Sequence, residues 1–306
     1  MIGLVCGLLI MSAFLAGCTS STSTPVTTQV TPAPVPATTA AASAAPVIPV
    51  TTESQVTTTA TPAPDYTYSE GNVVAYTAAS LSGVSPQLAS DFERMYPGHK
   101  VTFNLAGTQA LKTQIQNGAY ADVFISASQK YTTELTSGGY FMPGTVKQLT
   151  TNYVIVILPK DNPGNIKELA DLAKPGLKIA MADSSVPVGT ATVGVMKSLA
   201  KTPALGKDWN TSVYNNVVTY ETSEPAVANK VQLGEVDAGF VYESTYNAGV
   251  DKYQAINIAK AVNYLQTYQI AILKGSTSKG AAADFETFML SELGQQDLKD
   301  FGFRAP

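Results

Sequence analysis

Val73-Val74-Ala75-Tyr76-Thr77-Ala78-Ala79-Ser80-Leu81 decides how the rest of this chain is read. Its first half has the apolar, β-branched character of a buried strand, and it then stops in small residues and a hydroxyl. Beyond it, Val84, Leu88, Phe92 and Tyr96 recur at helical spacing and make one apolar face. A strand that ends in Ala-Ala-Ser and enters a helix gathers free backbone N–H groups and a hydroxyl at one point. Helix N-termini carry orphan donors and partial positive charge, so such a point is a cradle for an anion. The same succession of strand, small or hydroxyl residue and helix recurs around Thr108, Val188 and Ser223. The expectation is a scaffold that brings these starts together around one oxyanion.

Working outward, short apolar runs alternate with helical patterns from Asn72 onward, the signature of an α/β fold with a mostly parallel sheet. Strands are expected at 73–76, 101–105, 123–126, 153–158, 178–181, 238–242 and 268–273. Helices are expected at 86–96, 109–117, 129–137, 166–173, 190–201, 225–233, 281–290 and 295–300. Ser85-Pro86 reads as an N-cap followed by Pro at the first helical position, with Ser82 the alternative cap a turn earlier. Thr108 stands at the same topological place as Ser80, between a strand and a helix stopped by Asn117-Gly118. In Val186-Pro187-Val188-Gly189-Thr190 the glycine lets a ligand approach the backbone closely. Ser223 reads as the cap of the helix that begins at Glu224-Pro225, and Tyr242 puts a phenol at the C-terminal end of a strand, the edge where ligands bind in open α/β sheets. Any one Ser or Thr at a helix start is ordinarily a cap and nothing more. The facing starts, with Gly189 and Tyr242, are what point to a site.

Composition narrows the function. The chain has 306 residues, is 45% hydrophobic and carries a formal net charge of −4, enough for a real core and without the basic footprint of a nucleic-acid binder. An anion bound here must therefore be held by neutral donors and dipoles. There is one histidine, His99, in a Pro-Gly-His turn expected at the surface, and no Gly-x-Ser-x-Gly, CxxC or HExxH motif. A hydrolase built on Ser80 would lack its base, so no catalytic residue and no cofactor are expected. Asp122 is expected to tie a strand end, and Trp209 on a polar loop has no assignable role.

The N-terminal segment stands apart. Residues 2–14 are apolar apart from glycines, Cys6 and Ser12, too short a run for a membrane-spanning helix. The Leu15-Ala16-Gly17-Cys18 that follows resembles the lipobox of secreted lipoproteins. That resemblance implies a signal peptide at 1–18, lipidation of Cys18 and attachment to the outer face of the cell membrane. With Cys6 cleaved away and Cys18 acylated, no thiol remains for a disulfide. Residues 19–69 are Ser, Thr, Pro, Ala and Val with almost no charge or periodicity, which reads as a disordered tether.

Two stretches carry a wider resemblance: residues 74–81, and Gly118-Ala119-Tyr120-Ala121-Asp122-Val123-Phe124-Ile125-Ser126-Ala127. With Phe240-Val241-Tyr242 and Phe301-Gly302-Phe303, they are similar to the substrate-binding proteins of molybdate ABC transporters. The resemblance implies a two-lobed periplasmic-binding-protein fold of type II, each lobe a mixed sheet flanked by helices, with the ligand in the cleft. One lobe would comprise 70–149 plus 250–306 and the other 150–249. It implies a monomer that captures molybdate or tungstate and presents it to a transporter permease. The oxyanion contacts carried over are the hydroxyls of Ser80 and Thr108, the amide of Val188, Glu224 and Tyr242. At Glu224 the chain departs from bacterial members and resembles an archaeal branch, in which acidic side chains complete the coordination of the metal centre of the oxyanion. The second acidic position of that branch falls near Val186, which is not acidic. A receptor for another oxyanion, of sulfate or phosphonate type, is the alternative. A surface adhesin on a stalk would suit the tether but would leave the oxyanion motifs unexplained.

Overall fold

A computed structural model describes residues 71–306. The expected signal peptide at 1–18, the expected lipidation at Cys18 and the expected tether at 19–69 lie outside the described residues. Strand β1 (Gly71–Ala78) runs into a single 3-10 turn, Ala79–Leu81, and only then into helix α1 (Ser85–Met95). Ser80 therefore sits on a turn of its own and not at the start of α1, a correction to the direct strand-to-helix entry. The N-cap of α1 is Val84, and the Ser85 hydroxyl donates to Leu81 O at 2.8 Å instead of capping. The expected apolar face holds: Val84, Leu88 and Phe92 are buried. Each such side chain contributes about 1.5–3 kcal/mol on removal from water.

Strand β2 (His99–Ala106) and helix α2 (Thr108–Gln116) follow, then β3 (Val123–Ser126) and α3 (Gln129–Ser137). The 13-residue β4 (Lys147–Pro159) comes next, then β5 (Ile179–Ala182), α4 (Pro187–Leu199), α5 (Trp209–Asn215) and β6 (Val217–Glu221). The chain continues through α6 (Glu224–Gln232), β7 (Ala238–Tyr242), α7 (Glu243–Asn247), β8 (Tyr253–Ile256), β9 (Leu265–Ile272), α8 (Lys279–Leu290) and α9 (Glu292–Asp300). The helix expected at 166–173 is a 3-10 segment, Leu169–Ala173.

The strands join in the order β2-β1-β3-β9-β4-β7-β5-β6, with β8 pairing β4 off that path. Pairing is parallel for β1 with β2 and β3, and for β5 with β6 and β7, but antiparallel wherever β4 or β9 takes part. The sheet is thus mixed, not mostly parallel. Its two parallel halves are stitched by β4, whose first part pairs β9 through Tyr153 and whose second pairs β7 from Val154 on. Strand β8 pairs with the second part of β4.

Two expectations about single residues are overturned. His99 is the first residue of β2 and only 2% exposed, with Nε2 3.2 Å from the Asp284 carboxylate and its ring edge-on to Phe92. Trp209 is buried, opens α5 and donates its indole N–H to Leu169 O at 2.8 Å, which fastens the 3-10 segment. Asp122 does tie a strand end: it accepts from Val74 N–H at 2.8 Å and from the Ser276 hydroxyl at 2.7 Å. Among the described residues, no helix is long and apolar enough to cross a membrane.

Candidate functional site

Four chain segments meet where the two halves of the sheet face each other. From the first half come the 3-10 turn after β1 and the start of α2; from the second, the starts of α4 and α6. Ser80, Thr108, Val188, Glu224 and Tyr242 all line one small cavity between these starts. The structure brings all five sequence-selected residues together. The remaining wall is small or apolar (Ala78, Ala79, Gly107, Ala127, Val186 and Pro187), and no Lys, Arg or His lines it.

The donors are left unspent by local geometry. Val186 caps α4 with extended backbone and no side-chain bond, Pro187 is the first helical residue, and the earliest amide bonded within the helix is Thr190 N–H, to Val186 O at 2.9 Å. The amides of Val188 and Gly189 are therefore among the orphans every helix start leaves. At α2, Ala110 N–H bonds Gly107 O at 2.9 Å and no side chain caps the helix, which leaves the amides of Thr108 and Gln109 in the same condition. Ser223 is indeed the N-cap of α6, but its side chain makes no cap bond.

The hydroxyls are oriented by partners. Thr108 Oγ1 accepts from Ala127 N–H at 3.2 Å, so its own proton stays available to the cavity. Ser80 Oγ lies 2.8 Å from the phenol oxygen of Tyr268. When Tyr268 donates in that pair, the Ser80 proton is free to point at a ligand. Tyr242 donates to Gln266 Oε1 at 3.3 Å, and its ring packs edge-on to Tyr268, centroids 6.0 Å apart. Burial holds both phenols well above their ordinary value of 10.0, so both remain neutral donors.

Glu224, 3% exposed, is the one charge-bearing residue of the wall. Its Oε1 accepts from Tyr242 N–H at 2.9 Å and from the Thr245 hydroxyl at 2.5 Å, while Oε2 is buried without a partner. Burial pushes this carboxyl up to about 7, against the downward pull of its two donors. Val186, where a second acidic residue was sought, is an apolar part of the wall. Among the described residues no cluster of three or more His, Cys, Asp or Glu could hold a metal ion.

Gly189 corrects a further expectation. A Cβ there would lie 2.0 Å from Asp183 O and 2.6 Å from Ala182 O. The close approach that demands glycine is made by the end of β5, not by a ligand. Sequence reasoning also passed over Tyr268, Gln266 and Thr245, which hold Ser80, Tyr242 and Glu224. Tyr268 reaches the site because the antiparallel β9 presents its N-terminal part at the edge where β3 ends, with Gln269 opposite Ser126.

Two bonds cross the cleft beside the cavity: the Tyr131 phenol to Ser185 O at 2.5 Å and Gln109 Nε2 to Thr222 O at 2.9 Å.

Two α/β halves joined by one long strand, with unspent amides and hydroxyls between them, form the fold of the periplasmic binding proteins, whose task is ligand capture. The chain belongs to the family of bacterial extracellular solute-binding proteins, whose pattern matches residues 73–304. That family comprises extracytoplasmic binding proteins, not enzymes. The molybdate-binding protein ModA of Mycobacterium tuberculosis is 31% identical over 235 residues, which span 77% of this chain and 85% of that protein. The solved substrate-binding domain of a putative molybdenum ABC transporter from Clostridium difficile is 27% identical, with a TM-score of 0.59, covering 77% of this chain and 99% of that one. The periplasmic molybdate-binding protein of Azotobacter vinelandii shares the fold with a TM-score of 0.67 at 23% identity, covering 76% of this chain and 99% of that one.

Proposed function

We propose that this protein captures a tetrahedral metal oxyanion of the molybdate or tungstate type and presents it to the permease of an ABC transporter. The reading rests above all on one observation: unspent amides and hydroxyls from four segments converge on one small cavity with no cation in its wall. Molybdate and tungstate are fully ionised at neutral pH, so every oxygen accepts and every wall donor can be used. In this reading Ser80 and Thr108 donate their hydroxyl protons and Val188 its amide, Tyr242 turns its one phenol proton from Gln266 Oε1 to the anion, and Glu224 meets the oxyanion from the first turn of α6. Relatives named for molybdate support the choice of anion. Sulfate is smaller, and each hydrogen bond it leaves unmade costs about 1–3 kcal/mol.

The rest of the assignment follows the same reading. Two lobes, crossing in β4 and again ahead of β9, close on the anion by a hinge and so offer the permease a ligand-dependent surface. The protein acts as a monomer, held by lipidated Cys18 on the tether of residues 19–69. Calorimetric titration of the mature chain with molybdate, tungstate, sulfate and phosphate tests the central claim. One-to-one binding of molybdate or tungstate with far weaker sulfate and phosphate is expected; equal affinities for sulfate and tungstate overturn it.

A further inference from the structure

We propose that Glu224 serves as a neutral carboxylic acid that donates a hydrogen bond from Oε2 to the bound oxyanion, so that capture takes up one proton from solution. The inference rests on the oxyanion reading above and specifies how one wall of that site works.

Geometry carries it. Glu224 lines the cavity from the first position of α6, is 97% removed from solvent, and has its two oxygens in unequal circumstances. Oε1 is held by two donors on β7 and α7, Tyr242 N–H and the Thr245 hydroxyl, which fix the side chain. Oε2 has none. An ionised carboxylate in that position would leave one charged oxygen buried and unpaired, and a dianion arriving beside it would add repulsion at short range. A proton on Oε2 removes both costs and converts the one acceptor in the wall into a donor. The anion itself offers no proton, so the carboxyl must take one from water.

The surroundings provide no other remedy. Tyr242 on β7, Tyr253 on β8 and Tyr268 on β9 face this carboxyl, each a phenol held above its ordinary value by burial. On the flanking elements, Glu221 at the end of β6 accepts from the Thr219 hydroxyl, and Glu243 at the start of α7 is paired with Arg304. Lys230 on the same helix is paired with Glu235. Residues 154–158 of β4 are apolar, as is all of β5. No cation competes for Oε2. Burial sets the carboxyl at about 7 in the free protein, and a bound dianion raises it further.

The proton count decides. Molybdate is titrated into the full mature protein by calorimetry, in two buffers of different ionisation enthalpy, at about pH 8 and about pH 6. Uptake approaching one proton is expected at the higher pH and little at the lower, where the carboxyl is already protonated. Affinity should be flat below about pH 7 and weaken by about tenfold for each unit above it. Glu224→Gln keeps an N–H donor in the same place, so it should bind molybdate at high pH as tightly as the parent does at low pH, with the uptake abolished. Glu224→Ala should bind more weakly at both. Proton release, or binding that weakens on acidification, would mean that the ionised carboxylate coordinates the metal centre, and would overturn the proposal. Binding with no proton exchange in the parent would overturn it too while leaving oxyanion capture intact. If no oxyanion binds the parent at all, the capture reading falls and this inference with it.

Discussion

A hydroxyl serves as donor or as acceptor depending on what already holds it. Thr108 Oγ1 is engaged as an acceptor by Ala127 N–H, and Ser80 shares a bond with the buried phenol of Tyr268. Each hydroxyl is left with one proton to give to an anion. Ser80→Ala and Thr108→Ala should each weaken molybdate binding by about 1.5–3 kcal/mol, roughly one to two decades, since each loses a bond to an ionised acceptor. Calorimetry on both variants checks this, and unchanged affinity in both would reduce the two hydroxyls to structural bonds. Glu224 gives a second measurement that needs no ligand. Its carboxyl is raised to about 7 in the fold from an ordinary 4.5, so its contribution to stability is complete below about 4.5 and is lost as pH rises through about 7. At about 1.4 kcal/mol per unit, the fold gives up roughly 3 kcal/mol. Urea unfolding of the unliganded parent and of Glu224→Gln at both ends of that window should show the parent falling behind as pH rises. A constant difference between them would mean the carboxyl is hydrated.

Helices and strands show which parts of this molecule could be read from sequence. Strands β3 and β7 and helix α3 fall where the pattern puts them, because each is short, apolar or amphipathic, and bounded by clear stops. Strand β6 escaped: Val217–Glu221 lies at the sheet edge with Val218 and Tyr220 exposed, so it lacks the unbroken apolar run of a central strand. Helix α5 escaped because Trp209 and Val213 are its buried contacts, too few to mark a period. At the site, the rule that ligands sit at strand C-terminal ends found Ser80, Thr108 and Tyr242. It was blind to Tyr268, because the direction of β9 depends on tertiary pairing that no local pattern contains. Gly189 teaches the converse, since a glycine beside a site is not always there for the ligand. Gly189→Ala should disrupt the start of α4 through contact with Asp183 O and Ala182 O, both backbone atoms unable to rotate away. An overpacked core position costs about 1–3 kcal/mol. Because the shift displaces the Val188 amide, both melting temperature and molybdate affinity should fall; a drop in stability alone would separate that amide from the site.

At the scale of the whole molecule, closure of the cleft can be tested through the bonds that cross it beside the cavity. The cavity lies between two halves joined by β4, and the two bonds beside it reach from α3 to Ser185 and from α2 to Thr222. Neither touches the cavity wall through the side chain that makes it, so their removal leaves every proposed ligand contact in place. What they change is the balance between open and closed forms. An apparent affinity scales with the fraction of protein already competent to bind. A neutral hydrogen bond is worth about 0.5–1.5 kcal/mol, so Tyr131→Phe should weaken molybdate binding by roughly two- to tenfold, and Gln109→Ala by a similar factor. Because each reports on the same closure through separate bonds, the double variant should show the two free-energy losses added within about 0.3–0.5 kcal/mol. The loss should appear mainly as faster release, since the bonds form after the anion has entered. Stopped-flow dissociation measured alongside calorimetry distinguishes this from a damaged pocket. A slower association rate with unchanged release would mean that these two bonds guide entry and do not hold the cleft shut.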